Sequence, residues 1–131
     1  MNFNLKNSAA IAACLSTLCW TSAARADGWP ISVAGTWSVA ANQSAGTLVI
    51  NQPSSTLNCR PINGTIFVTD SIQGFYCPFS GNIGFSRINS NGTTIQYYEG
   101  NLSQTGAVLR IGGSFSSILG SFGNYNFSAV K

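Results

Sequence analysis

Histidine is absent from this 131-residue chain, and charge of either sign is scarce, with six Lys plus Arg against three Asp plus Glu. The first absence excludes His-based catalytic triads, most zinc hydrolases and haem ligation through imidazole. The second leaves no basic tract, so nucleic acid finds no electrostatic footprint. A soluble domain ordinarily has about a quarter of its residues charged, whereas here the figure is 7%. There is no CxxC redox pair, and of the four cysteines only Cys59 and Cys77 lie beyond the N-terminal 26 residues; two cysteines without histidine make a poor metal site, because zinc wants about four ligands. The only acid–base pair on offer is Asp70 with Glu99. Two carboxylates hydrolyse glycosidic bonds only when they face each other across a cleft, and Asp70 stands in an expected turn, where aspartate commonly caps its own backbone. Neither a catalytic residue, a metal nor a cofactor is therefore expected, and the protein reads as a non-enzyme.

What is present begins with a leader pattern. Lys6 supplies a positive start, an apolar small-residue stretch runs from about 9 to 20, and Ala24 and Ala26 give the small-x-small pattern of a processing site. This reads as a signal peptide over 1–26, cleaved after Ala26, with a single domain over 27–131. The stretch is shorter than the roughly 20 apolar residues a stable bilayer helix needs, so no stable membrane span is expected. Ile11-Ala12-Ala13-Cys14 also fits a loose lipoprotein box, which leaves lipidation of Cys14 as an alternative. Processing after Ala26 leaves four cations against three anions, a net charge of +1, and leaves Cys59 and Cys77 as an even pair. In an exported chain that pair predicts a disulfide. The expected location is the bacterial periplasm or the extracellular space.

Beyond the leader the chain alternates apolar and polar residues in short runs separated by Gly, Asn and Ser turns, the signature of sheet. The runs lie at 35–41, 46–52, 62–68, 72–79, 82–88, 93–102, 107–115 and 122–130. Asn91-Gly92 predicts a type I′ hairpin turn. Ser80-Gly81-Asn82, Gln104-Thr105-Gly106 and Thr69-Asp70-Ser71 predict three further turns, and Gly64 reads as a glycine within a strand. The fold class is all-β. Near-neighbour connections predict an antiparallel up-and-down meander barrel of about eight strands, with a two-sheet sandwich as the alternative. An outer-membrane barrel fits less well, since its strands need about 9–11 residues.

Gly35-Thr36-Trp37 opens the first run, and this G-x-W pattern resembles the signature of lipocalins and avidins. The stretches 82–86 and 93–100 are similar in style to the central avidin strands. The resemblance implies a calycin-like small barrel over most of 34–130. It also implies where this chain departs from that group. Avidins hold biotin inside one barrel end with a tryptophan cage and an asparagine two residues after the first-strand tryptophan. Here that position is Val39, and no tryptophan follows Trp37. The scaffold is expected to carry over without the biotin contacts.

Four residues stand out as candidates for ligand binding: Arg87, Tyr97, Glu99 and Tyr125. Arg87 shares phase with Ile83 and Phe85, so it is expected to point inward at the barrel mouth. Glu99 shares phase with Ile95 and Tyr97. An inward carboxylate needs a partner or a ligand, so either a Glu99–Arg87 pair or a solvated rim position suits it. Arg110 is out of phase with Leu109 and Ile111 and is expected outside. Trp37 shares phase with Val39 and is expected to plug the closed end. The function read from these residues is a non-enzymatic secreted or periplasmic binding module. Its partner would be a small molecule or glycan at the barrel mouth, or a protein on its wall. A structural or surface-interaction protein with a filled barrel (an adhesin or assembly subunit) and an inhibitor of a secreted enzyme are the alternatives. Homo-oligomerisation is left open.

Overall fold

The structure, a computed structural model, describes residues 28–120 and 122–131. The leader over 1–26, its cleavage position and Cys14 lie outside the described residues. Eight antiparallel strands run in order around a closed barrel: β1 (Gly35–Ala41), β2 (Ser44–Asn51), β3 (Arg60–Ile66), β4 (Asp70–Cys77), β5 (Asn82–Ile88), β6 (Thr94–Thr105), β7 (Val108–Ser117) and β8 (Asn124–Val130). Each strand pairs with its neighbour in sequence, and β1 closes the ring on β8 with Ser38 opposite Val130 and Ala41 opposite Phe127. The meander is therefore a barrel and not a sandwich. Closure removes every open sheet edge, the feature through which strands aggregate. Among the described residues no helix is long and apolar enough to cross a membrane.

Alternation dictates the core. In β1 Trp37, Val39 and Ala41 are buried while Ser38 and Ala40 face water. Leu48, Ile50, Ile62, Ile66, Ile72, Tyr76 and Ile111 join them inside. Fully burying one such aliphatic side chain is worth about 1.5–3 kcal/mol. The second half of the barrel contributes an aromatic ladder in a single cross-strand row, in which Phe85 faces Tyr98, Tyr98 faces Phe115 and Phe115 faces Tyr125. Their ring centroids stand 4.8, 4.8 and 5.2 Å apart. Phe127 meets Phe85 and Tyr98 edge-on. Gly64 lies within β3 as the sequence suggests. Its φ is +152°, and a Cβ there would stand 1.8 Å from the Val49 carbonyl oxygen, so no other residue lets β2 and β3 come together.

Cys59 and Cys77 form a disulfide. Arg60 pairs with Tyr76 in the β3–β4 ladder, so the cysteines one step beyond that pair face each other. The bridge is consistent with an oxidising compartment.

Three turns differ from their sequence reading. Asn91 does not adopt positive φ while Gly92 does, at +78°, and the Gly92 amide donates to the Asn89 carbonyl. A type I′ turn needs positive φ at both central residues, so this hairpin instead closes through a longer loop over 89–93, held by the Asn89 side chain. The bend between β3 and β4 lies at Phe67-Val68-Thr69, leaving Asp70 as the first residue of β4. β6 runs through Thr105, and the next turn is Gly106-Ala107.

Candidate functional site

The barrel has two ends and a wall, and the candidate residues divide among them. One end is covered by the segment that precedes β1. Trp29 Nε1 donates to the Leu102 carbonyl at 2.7 Å, and the Tyr76 hydroxyl donates to the Pro30 carbonyl at 2.7 Å. Trp37 Nε1 donates to the Val33 carbonyl at 3.0 Å. The Gln52 amide spans the strap, accepting from the Val33 amide and donating to the Ile31 carbonyl. Lys131 Nζ donates to the Ala34 carbonyl and lies 5.9 Å from the Trp37 ring centre. Trp37 is fully buried at this end, as its phase implies.

The opposite end holds a chain of polar side chains pointing inward. Arg87 is inward-facing, as its phase predicts. Its partner is Asp70, reached through Nε at 2.6 Å, and its Nη1 donates to the Gln96 side-chain oxygen at 3.0 Å. The Tyr98 hydroxyl donates to the same Gln96 oxygen at 2.9 Å. Burial pushes the Tyr98 hydroxyl pKa up, and the nearby Arg87 guanidinium works against that rise. The Phe67 ring covers Arg87, with the guanidinium carbon 4.8 Å from its centre, a cation–π contact. Asp70 is thus not a turn cap; it is a buried carboxylate whose cost is met by a cation and hydrogen bonds.

Glu99 does not join this cluster, and the Glu99–Arg87 pair does not form. Gln96 and Tyr98 face inward on β6, so Tyr97 and Glu99 face outward. The reason is local. Arg87 is opposite Gln96 but Ile88 is opposite Thr94, which leaves Ile95 as an extra, bulged residue. A bulge breaks the alternation, and parity counted from the half-buried Ile95 assigns the rest of β6 to the wrong face. Tyr125 is half-buried inside, at the end of the aromatic ladder. Of the four candidates, Arg87 and Tyr125 are interior near the open end, while Tyr97 and Glu99 are neighbours on the outer wall.

That wall has its own organisation. Register places Phe75, Gly84, Glu99, Ser114 and Asn126 in one outward row across β4 to β8. The row toward the open end includes Ser86, Tyr97 and Ser116, and the row toward the strap includes Asn82, Asn101 and Gly112. A groove of about 680 Å³ follows the middle row, lined by Phe75, Asn82, Glu99, Asn101, Ser114 and Asn126 among others. Two smaller depressions adjoin it, and Glu99 borders all three. Gly84 forms part of the floor of one of these. A Cβ at Gly84 would stand 3.0 Å from the Phe75 ring, so that ring lies down along the wall. Phe75 is 47% and Tyr97 50% exposed. Sequence reasoning missed Phe75 and the row it belongs to; the available signal was the outward parity shared by Gln73, Phe75 and Cys77, with Gly84 as the residue without a side chain in the neighbouring strand.

Among the described residues no group of three or more Cys, Asp and Glu side chains could hold a metal ion. Compared with known proteins, the chain matches no family model, no curated sequence and no solved structure. The closed eight-strand antiparallel barrel is compatible with the calycin-like architecture that the G-x-W pattern implies.

Proposed function

We propose that this protein is a non-enzymatic binding module, exported to an oxidising compartment, which works through the outer wall of a filled barrel. The observation that carries this reading is the contrast between inside and outside. The interior is occupied by Trp37, Tyr76 and the Phe85–Tyr98–Phe115–Tyr125 ladder, and the polar groups at the open end are bonded to one another. A ligand entering there would have to replace bonds already made. The outer groove offers the reverse: half-exposed aromatics beside amide, hydroxyl and carboxylate groups that face water. Binding sites combine such apolar surface with a few placed polar groups.

Catalysis fits the geometry poorly. Asp70 is held inside by Arg87 while Glu99 is on the outer face, so the two carboxylates have the barrel wall between them and cannot flank one glycosidic bond. The outward rows of β5 to β8 are mostly Asn, Ser, Thr and Gly, with Glu99 and Arg110 charged and Tyr97, Val108 and Val130 scattered among them, not the continuous apolar band a lipid-facing barrel presents.

The test is a map of amide chemical shifts in the labelled protein, titrated with probes of three classes: neutral oligosaccharides, short peptides and small amphiphiles. Saturable changes are expected around Gly84, Glu99 and Ser114, with every probe recovered chemically intact. Changes centred on Phe67, Arg87 and Gln96 would overturn the placement, and conversion of a probe would overturn the non-enzymatic reading.

A further inference from the structure

We infer that the occupant of the outer-wall groove is a neutral glycan, lying across β4 to β8 with sugar faces on Phe75 and Tyr97 and hydroxyls on Glu99. This rests on the reading of the wall as the binding surface and adds the ligand class. The argument begins with charge. Among the described residues Glu99 is the only charged one that lines the groove and its two neighbouring depressions, and no arginine or lysine lines any of them. Phosphate, sulfate or uronic acid groups would meet a carboxylate with no cation to offset it, so anionic ligands are disfavoured. A carboxylate accepts hydrogen bonds on two oxygens, an asparagine amide both donates and accepts, and a serine hydroxyl does both. Hydroxyl-rich sugar edges match that set group for group. A hydrocarbon surface does not.

Shape supports the same occupant. Five neighbouring strands at about 4.8 Å spacing give a path of roughly 19 Å along the curved wall, the length of several sugar rings. The tip of the Phe75 ring reaches over Gly84, where a side chain would collide with it, and the ring is half-exposed, which leaves aromatic surface for a sugar's C–H groups. Tyr97 stands in the adjacent row on β6, two residues from Glu99, and presents an aromatic body with a polar tip. Peptide modes fit less well. A strand-adding peptide needs an open sheet edge, and a helix needs a continuous apolar groove; the barrel is closed and the groove divides about evenly between polar and apolar surface.

The experiment is the same shift titration, now comparing neutral hexasaccharides of β-1,4-linked glucose, α-1,4-linked glucose and N-acetylglucosamine with oligogalacturonate. At least one neutral series is expected to saturate at Gly84, Glu99 and Ser114, while oligogalacturonate does not. Phe75→Ala and Tyr97→Ala should each weaken that binding about tenfold, which is about 1.4 kcal/mol. Glu99→Gln, which keeps the size of an exposed side chain, should weaken it as well, and Arg110→Ala should leave it unchanged. A preserved amide spectrum for each variant separates lost binding from lost folding. Groove shifts produced by peptides or amphiphiles and by no neutral glycan would overturn this inference and leave the wall reading standing. Glycan-induced shifts confined to the open end would overturn both.

Discussion

The two ends of this barrel are sealed by opposite chemistry. At one end a strap of main chain over Trp29 to Ala34 is stapled by neutral donors from Trp29, Trp37, Gln52 and Tyr76, with Lys131 at its rim. At the other the seal is an ion pair, Arg87 with Asp70, extended by Gln96 and Tyr98 and roofed by Phe67. A neutral seal brings little desolvation cost and gains from packing. A charged seal depends on both partners, because one buried charge without the other is strongly unfavourable. The closed end should therefore fail by losing volume, and the open end by losing complementarity.

The largest effect is expected at the strap. Trp37→Ala empties the fully buried plug and removes its bond to Val33. Denaturant unfolding should show a loss of about 3–5 kcal/mol, the usual range for large aromatic to alanine changes in cores. A loss under about 1 kcal/mol would mean the strap closes the barrel without its tryptophan.

The open end should lose slightly less, and in a recoverable way. Arg87→Met leaves the Asp70 carboxylate buried without its cation, at a cost of about 3 kcal/mol. Adding Asp70→Leu to that variant should restore most of the loss, since an ion pair replaced by apolar groups of similar volume is often neutral or better. No such rescue exists for Trp37→Ala, and that asymmetry is the sharpest form of the comparison. Equal stability in the single and double variants would erase it.

A third test reads the strap through pH. Burial pushes the Tyr76 hydroxyl up to about 12 from 10.0, with Arg60 opposing the rise. Between those values the unfolded chain releases this proton while the folded chain keeps it, so unfolding is favoured as pH rises. The Tyr76 contribution is complete below pH 10 and is lost as pH climbs through 12. Melting temperatures should fall across that window. Tyr76→Phe should flatten the fall while costing about 1 kcal/mol at neutral pH through the lost bond to Pro30. An unchanged alkaline slope would show that another group governs it.

The contrast between ends also explains what could be read from sequence. All eight strands lie close to their predicted positions, because alternation and turn residues are local signals. Trp37 and Arg87 could be assigned inward from the phase of their own strands. The identity of Arg87's partner could not be read this way, because Asp70 is 17 residues away and its position beside Thr69 and Ser71 imitates a capped turn. Tyr97 and Glu99 share phase with Ile95 in the sequence, and the bulge at that residue reverses their face. The groove was least legible of all. Its middle row takes one residue from each of five strands, and no single segment carries the pattern.

The smallest effect, and the one of opposite sign, concerns the turn beside the ion pair. Phe67 and Val68 both adopt positive φ, at 54° and 74°. Asn and Gly are the usual residues for such a pair of angles, and a β-branched residue there is a true outlier. An L-residue held in this region costs about 1–2 kcal/mol. For Phe67 the strain has a visible return, since its ring covers the Arg87 guanidinium. For Val68 none is visible, because its side chain is 82% exposed. Val68→Gly should therefore stabilise the protein. Glycine gives back about 0.5–1 kcal/mol through its freer unfolded state, which leaves a net gain of up to about 1 kcal/mol. In a domain of roughly 100 residues that raises the melting temperature by about 4–8 °C at most. Phe67→Asn relieves similar strain but uncovers the ion pair, so it should not stabilise. If both variants gain equally, the aromatic roof contributes nothing to the open end. If Val68→Gly loses stability instead, the valine makes a contact at the tip that its exposure hides, and the charged end is less open to water than its side chains suggest.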